Sequence, residues 1–235
     1  NYGSNLDYMK EISKYWVDNF DWKTIEEKIN KFQNFKSNID GIDIHFIQKK
    51  GSGTNSKPLL LSHGWPGSIV EFLHIIDQLA HPEKFGGKEE DAFDVIVPSL
   101  PGFGFSGRPS RPIGPRKMAS IFNSLMTEVL GYKKYIAQGG DFGATIATWL
   151  AYDFPKTCAA IHINILIVRH PDGPQTKEEK EWEERFEREQ LMENGYRTQQ
   201  ATKPQTLSYA MMDSPVGVAA WIIEKMRGWS DIKNN

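Results

Sequence analysis

Residues 139–143 read Gly-Gly-Asp-Phe-Gly and lie between a short strand, Tyr135-Ile136-Ala137, and a helix-forming run, Ala144 to Tyr152. A chain that passes from strand to helix in so few residues must turn sharply. Close packing of the two elements then leaves room only for small side chains on either side of the apex. Gly139 and Gly143 meet that demand and put Asp141 at the apex, pointing away from both elements. A carboxylate at a helix N-terminus is stabilised in its charged form. Unlike a serine hydroxyl, it needs no general base to become a nucleophile. The same five residues also fit an aspartate that merely caps a helix after a Gly-rich turn, and the run alone does not choose between the two.

The rest of the chain narrows the choice. Leu59-Leu60-Leu61, Phe93 to Val97 and Ala159 to Val168 are short apolar runs of the kind that form buried parallel strands. Amphipathic helices are expected from Ser68, where Glu71 would complete a capping box, and over Met118 to Leu130. Strands alternating with helices imply an α/β fold with a mostly parallel sheet. Residues 42–48 alternate as a half-buried strand does, and residues 6–38 read as helical, with Trp16, Phe20, Trp22, Phe32 and Phe35 packing this arm onto something larger. After His170 the alternation stops, and Glu178 to Glu189 reads as a charged helix with Trp182 and Phe186 four apart. The expected organisation is an N-terminal arm (1–40), a core (41–169) and an incomplete helical cap (170–235).

Composition excludes several function classes. A net charge of −2 offers no nucleic-acid surface or polybasic anchor. The single cysteine, Cys158, leaves no intrachain disulfide and no cysteine metal cluster, and no metal or other cofactor is expected. No stretch approaches the roughly 18 apolar residues of a membrane span. The first residues, Asn1-Tyr2-Gly3-Ser4, carry no targeting signal. The expected location is soluble and cytoplasmic, with an anchor upstream of residue 1 left open, and a homodimer is a permitted assembly.

A second motif, His63-Gly64-Trp65-Pro66, directly follows the apolar strand at Leu59. In α/β-hydrolases the loop after that strand supplies one backbone N–H of the oxyanion hole, and the residue after the nucleophile supplies the other. The donors here would be the amides of Trp65 and Phe142. A decoy, Gly102-Phe103-Gly104-Phe105-Ser106-Gly107, satisfies the dinucleotide pattern. Such a site needs a helix to open at once, and Pro109, Pro112 and Pro115 argue against one.

These motifs, with Pro98 to Ser106, Tyr196-Arg197-Thr198-Gln199-Gln200-Ala201-Thr202-Lys203-Pro204-Gln205-Thr206 and Asp213-Ser214-Pro215-Val216-Gly217, resemble the microsomal-type epoxide hydrolase family. Juvenile hormone epoxide hydrolases and soluble fungal and bacterial forms are among its members. The resemblance implies that Asp141 attacks a small apolar epoxide and forms an alkyl-enzyme ester. It implies that Tyr196 is the first of two lid tyrosines that protonate the opening oxygen, and that water then frees a vicinal diol. A tyrosine suits this role, because an unperturbed phenol is protonated at neutral pH. Phe142 stands where the family commonly has Trp, which leaves the amide's role intact. His162, in the apolar run, and His170, entering the cap, read as structural. The second lid tyrosine, the acid and the water-activating histidine are therefore expected beyond Asn235. The alternatives are a haloalkane dehalogenase, which also uses an aspartate here, and a non-catalytic or truncated relative.

Overall fold

The computed structural model describes residues 2–166 and 168–232. They form two compact units, one over residues 22–166 and one over residues 1–21 and 167–235. The chain opens with two helices, α1 (Leu6–Asn19) and α2 (Trp22–Asn30), that fall into different units. The 1–40 arm is thus not one piece: its first helix groups with the helical residues 168–232, and the remainder with the sheet.

In the sheet unit, β1 (Gln33–Ile39), β2 (Ile42–Lys49), β3 (Lys57–Ser62), β4 (Phe93–Pro98), β5 (Tyr135–Gly139) and β6 (Cys158–Ile163) form one sheet in the order β1-β2-β4-β3-β5-β6. β3 pairs in parallel with β4 and β5, and β5 with β6, while β1 and β2 run antiparallel. This is the α/β architecture expected from the alternation. Side chains of a strand point alternately to its two faces. Leu60, Ile96 and Ala137 accordingly join one core with α4 (Pro115–Ser124) and α5 (Phe142–Asp153). Leu59, Leu61, Val95 and Val97 join the other, with Ile29 of α2 and Ile76 and Ala80 of α3 (Ile76–Ala80).

Several expectations need correction. Residues 33–39 form a strand, not part of a helix, and Asp40 and Gly41 make the two-residue turn into β2 with φ of 52° and 79°. Two successive positive φ values are what a type I′ hairpin requires, and Asp-Gly is a favoured sequence for it. Ser68 does not begin one continuous helix. It caps a short 3₁₀ turn at Ile69–Phe72, its hydroxyl accepting from the Val70 N–H at 3.2 Å, before α3 starts at Ile76. β6 ends at Ile163 rather than Val168, and most of it is exposed, since it pairs only with β5 among the described strands. Its apolar composition signals cover on both faces, which those residues do not provide. Of the aromatic arm, Phe32 packs on the core and Phe35 stacks on Phe46 at 5.5 Å, but Trp16, Phe20 and Trp22 stay 44–55% exposed.

The loop after β4 is tied down by a buried histidine. His45 Nε2 bonds to Asn34 Oδ1 at 2.9 Å, and Nδ1 to Ser99 Oγ at 2.9 Å. Asn34 Oδ1 can only accept, so Nε2 carries the proton and Nδ1 accepts from the Ser99 hydroxyl. Burial, helped by the charge of Lys36, depresses the His45 pKa to about 4. The unfolded chain then binds a proton that the folded chain refuses, so this contribution is complete above pH 6.5 and is lost as pH falls toward 4. The expected loss across that window is about 3 kcal/mol. Urea unfolding at pH 7 and pH 4 checks it: His45→Gln should flatten the dependence, and identical dependences in the two proteins would refute it.

In the helical unit, α6 (Lys177–Glu193), α7 (Gly195–Thr202), α8 (Pro204–Asp213) and α9 (Pro215–Gly228) follow one another, and the segment leading into α1 is tied to α9 by a Ser4 Oγ bond to the Ala220 carbonyl at 3.0 Å. Thr176 and Glu179 form a reciprocal capping box at the start of α6. Pro204 and Pro215 occupy the first turns of α8 and α9, where the missing N–H costs nothing. Trp182 and Phe186 stack at 4.9 Å, and the Arg169 guanidinium lies over both rings. All secondary structure among the described residues of this unit is helical.

Candidate active site

Asp141 has φ 50° and ψ −122°, a conformation that costs a non-glycine residue roughly 1–3 kcal/mol. The surroundings enforce it. A Cβ on Gly139 would fall on the Gly143 carbonyl and lie 2.6 Å from Ala144 N. One on Gly143 would fall on the Ser62 carbonyl oxygen and lie 2.6 Å from its carbon. The glycines therefore let β5, α5 and the end of β3 meet with the backbones in contact.

The carboxyl of Asp141 makes no capping bond to α5. Its Oδ1 instead accepts from the Trp65 N–H at 2.9 Å. A helix cap would instead turn its oxygen back onto the first turn. Phe142 is the first residue of α5, so its N–H has no acceptor one turn earlier in the helix. Gly64 lies directly under the carboxyl, and a Cβ there would meet Oδ1 and lie 2.8 Å from Cγ. Trp65 and Pro66 are joined by a cis peptide bond.

His63 is buried, with both ring nitrogens against backbone groups. Its Nδ1 is 3.0 Å from the Gly64 carbonyl, its Nε2 accepts from the Leu100 N–H at 3.1 Å, and its ring meets Phe103 edge-on at 5.7 Å. Burial holds its pKa below the ordinary histidine value, against the pull of the Gly64 carbonyl and the Asp141 charge. As a neutral donor and acceptor, His63 fixes the loop from which Trp65 presents its amide.

Glu71 was legible only as a capping partner. Its carboxyl rests against Gly67, where a Cβ would come within 2.6 Å of Oε1. Gly64 and Gly67 close one turn through a 3.0 Å bond, so Asp141 and Glu71 dock on the same turn. Burial and the nearby Asp141 charge raise the Glu71 pKa, against the Ser68 N–H. Asn164, also missed, lies beside the apex: a Cβ on Gly140 would meet its Oδ1 at 2.6 Å. The two glycines at 64 and 67 were the available signal for Glu71, since they leave space that a neighbouring side chain fills.

The structure brings Gly64, Trp65, Gly139, Asp141, Phe142 and Gly143 together in the sheet unit, with His63 and Pro66 in the same loop. Tyr196 lies on α7 of the helical unit, with Trp229 edge-on to its ring at 5.2 Å and the Lys225 ammonium 5.2 Å from its centre. His162 lies exposed in β6, and His170 accepts from the Asp172 N–H in the segment before α6. After Gly107 the next helix is α4, starting at Pro115, so the dinucleotide pattern opens no helix. Among the described residues no cluster of His, Cys, Asp and Glu could hold a metal, and no helix is long and apolar enough to cross a membrane.

Residues 57–212 match the alpha/beta hydrolase fold family, and residues 1–72 match the epoxide hydrolase N terminus. Epoxide hydrolase 1 of Oryctolagus cuniculus is 38% identical over 253 residues, covering 98% of this chain and 55% of its own length. The Aspergillus niger epoxide hydrolase structure aligns over 95% of this chain and 59% of its own, with 31% identity and a TM-score of 0.82. The juvenile hormone epoxide hydrolase structure from Bombyx mori aligns over 97% and 54%, with 34% identity and a TM-score of 0.79. The chain spans about half the length of the curated relatives it matches.

Proposed function

The chain belongs to the α/β-hydrolase fold family, with an epoxide hydrolase N terminus at its front, and on that premise we propose that it opens epoxides through a covalent ester on Asp141. The observation that carries this reading is the Asp141 carboxylate itself, held at a strained apex by the Trp65 amide and not spent on capping α5. With Oδ1 engaged, Oδ2 is the oxygen that attacks an epoxide carbon. The ring C–O bond breaks, and the electron pair goes to the ring oxygen. Tyr196 supplies the proton that turns this oxygen into a hydroxyl, leaving a hydroxyalkyl ester and a phenolate to be reprotonated.

Ester hydrolysis then adds water at the Asp141 carbonyl carbon. The charge that develops on its oxygen is met, in this scheme, by the Trp65 and Phe142 amides, and such donors are typically worth about 10²–10³ in rate each. Removal of the proton from that water is assigned to neither His162 nor His170. The small apolar epoxide and water are the only reactants this scheme requires.

Intact-mass analysis after incubation with styrene oxide, and separately with 1-bromobutane, tests the reading. The expected result is either an adduct of one styrene oxide or release of its diol, with no alkylation by the bromide. Alkylation by the bromide alone would select haloalkane chemistry, and inertness to both would reject the proposal.

A further inference from the structure

Lys225 is a charged side chain that the reaction above does not use, yet it is 6% exposed. Its ammonium is held by three oxygens: Glu193 Oε2 at 2.8 Å, Glu224 Oε2 at 2.8 Å and the Glu193 carbonyl at 3.4 Å. Burial works against the charge on Lys225, but the two carboxylates outweigh it, and its pKa is raised above the ordinary lysine value. The two carboxylates thus favour the charged form of Lys225.

The same ammonium lies 5.2 Å from the centre of the Tyr196 ring, and Trp229 closes on that ring edge-on. A further tie joins the two helices concerned, because Trp221 Nε1 of α9 donates to Gln200 Oε1 of α7 at 2.8 Å. Tyr196 is thus fixed between residues of α9 and its C-terminal flank. A cation over an aromatic ring is attracted to its electron density. That density rises when a phenol becomes a phenolate, so the attraction is greater in the ionised form.

We propose that Lys225 is a positioning residue for Tyr196, orienting its phenol through the ring face and stabilising the negative charge the phenol acquires as it gives up its proton. The proposal rests on the reading of Tyr196 as the proton donor. The charged groups seen at the pair among the described residues include Lys225 and Glu224 on α9 and Glu193 at the end of α6. Replacing the lysine by a neutral residue removes the cation and unmasks both carboxylates, and both changes disfavour the phenolate.

The test follows the Tyr196 phenol by NMR titration of protein carrying ¹³Cζ-labelled tyrosine, with Tyr196→Phe identifying the signal. Lys225→Met is expected to raise the ionisation midpoint by about one unit. Lys225→Arg keeps a cation in place and should hold the midpoint near that of the parent. Lys225→Gln is a second neutral variant that can still bond to Glu193, and it should reproduce the rise if Lys225→Met does not fold. A midpoint unchanged in a folded neutral variant overturns the proposal. So does a shift in Lys225→Arg as large as in the neutral variants, which would report lost packing rather than lost charge. Ester formation with styrene oxide should slow by roughly three- to tenfold in the neutral variants and recover with arginine. The titration needs no epoxide, so a normal charge effect in a protein that styrene oxide does not alkylate would reject the proposed reaction while leaving the Lys225–Tyr196 pairing in place.

Discussion

Asp141→Asn is expected to lower the rate of ester formation with an epoxide by about 10⁴-fold or more, the scale on which loss of a covalent nucleophile is felt. The amide retains an oxygen that can accept from the Trp65 N–H, so the apex and the hydrogen bond to Oδ1 survive. What disappears is the negative charge and with it the nucleophile. Stopped-quench mass analysis of the parent and variant checks this, with circular dichroism confirming that both fold. A variant that still forms the adduct at a tenth of the parent rate would place the nucleophile elsewhere.

The second large effect concerns stability. Gly143→Ala is expected to cost about 3 kcal/mol or more, at the upper end for overpacking, because the added methyl meets the Ser62 backbone rather than a side chain that can rotate away. Gly64→Ala should disturb the site as well as the fold. Its methyl would meet the Asp141 carboxyl and lie 2.5 Å from the Asp141 Cβ, which the backbone of the apex fixes and no side-chain rotation can move. A stability loss of the same order is expected, with alkylation falling in the protein that still folds, since the carboxyl is pushed off the Trp65 amide. Urea unfolding and alkylation rate, measured on both variants, check this. A Gly64→Ala protein as stable as the parent and alkylated at the parent rate would contradict the close approach of Gly64 to Asp141.

The parts that were legible in the sequence are those governed by one short-range constraint. The buried run at Leu59–Leu61 and the strand at Phe93 each have a single consistent local reading, and the structure follows it, while the glycine pair around Asp141 specified the strand-to-helix turn and left the role of the carboxyl open. β1 was missed because Phe35 and Ile39 sit among Lys36, Ser37 and Asn38, on a strand with little buried surface. The Asp40-Gly41 hairpin turn was the signal that could have found it. The helix expected at Ser68 failed because Val70 points to solvent and Ile69 inward, a pattern set by the tight turn at Gly64–Gly67. For Glu71 the glycines at 64 and 67 were an indirect signal that did not name Asp141 as its neighbour, and for Lys225 beside Tyr196 there was none. Their significance lies in contacts between separate elements, which no local periodicity encodes. Tyr196 itself was found through the motif that surrounds it, since an isolated tyrosine in a helix reads as packing.

The central claim is that the Asp141 carboxylate attacks the epoxide, and the most direct measurement locates the covalent bond. The protein would be incubated with styrene oxide, quenched in acid, digested, and sequenced by tandem mass spectrometry. The expected result is a hydroxyalkyl ester on Asp141, absent from Asp141→Asn. An adduct on Glu71, Cys158 or His162 instead, or one that persists in Asp141→Asn, would contradict the account.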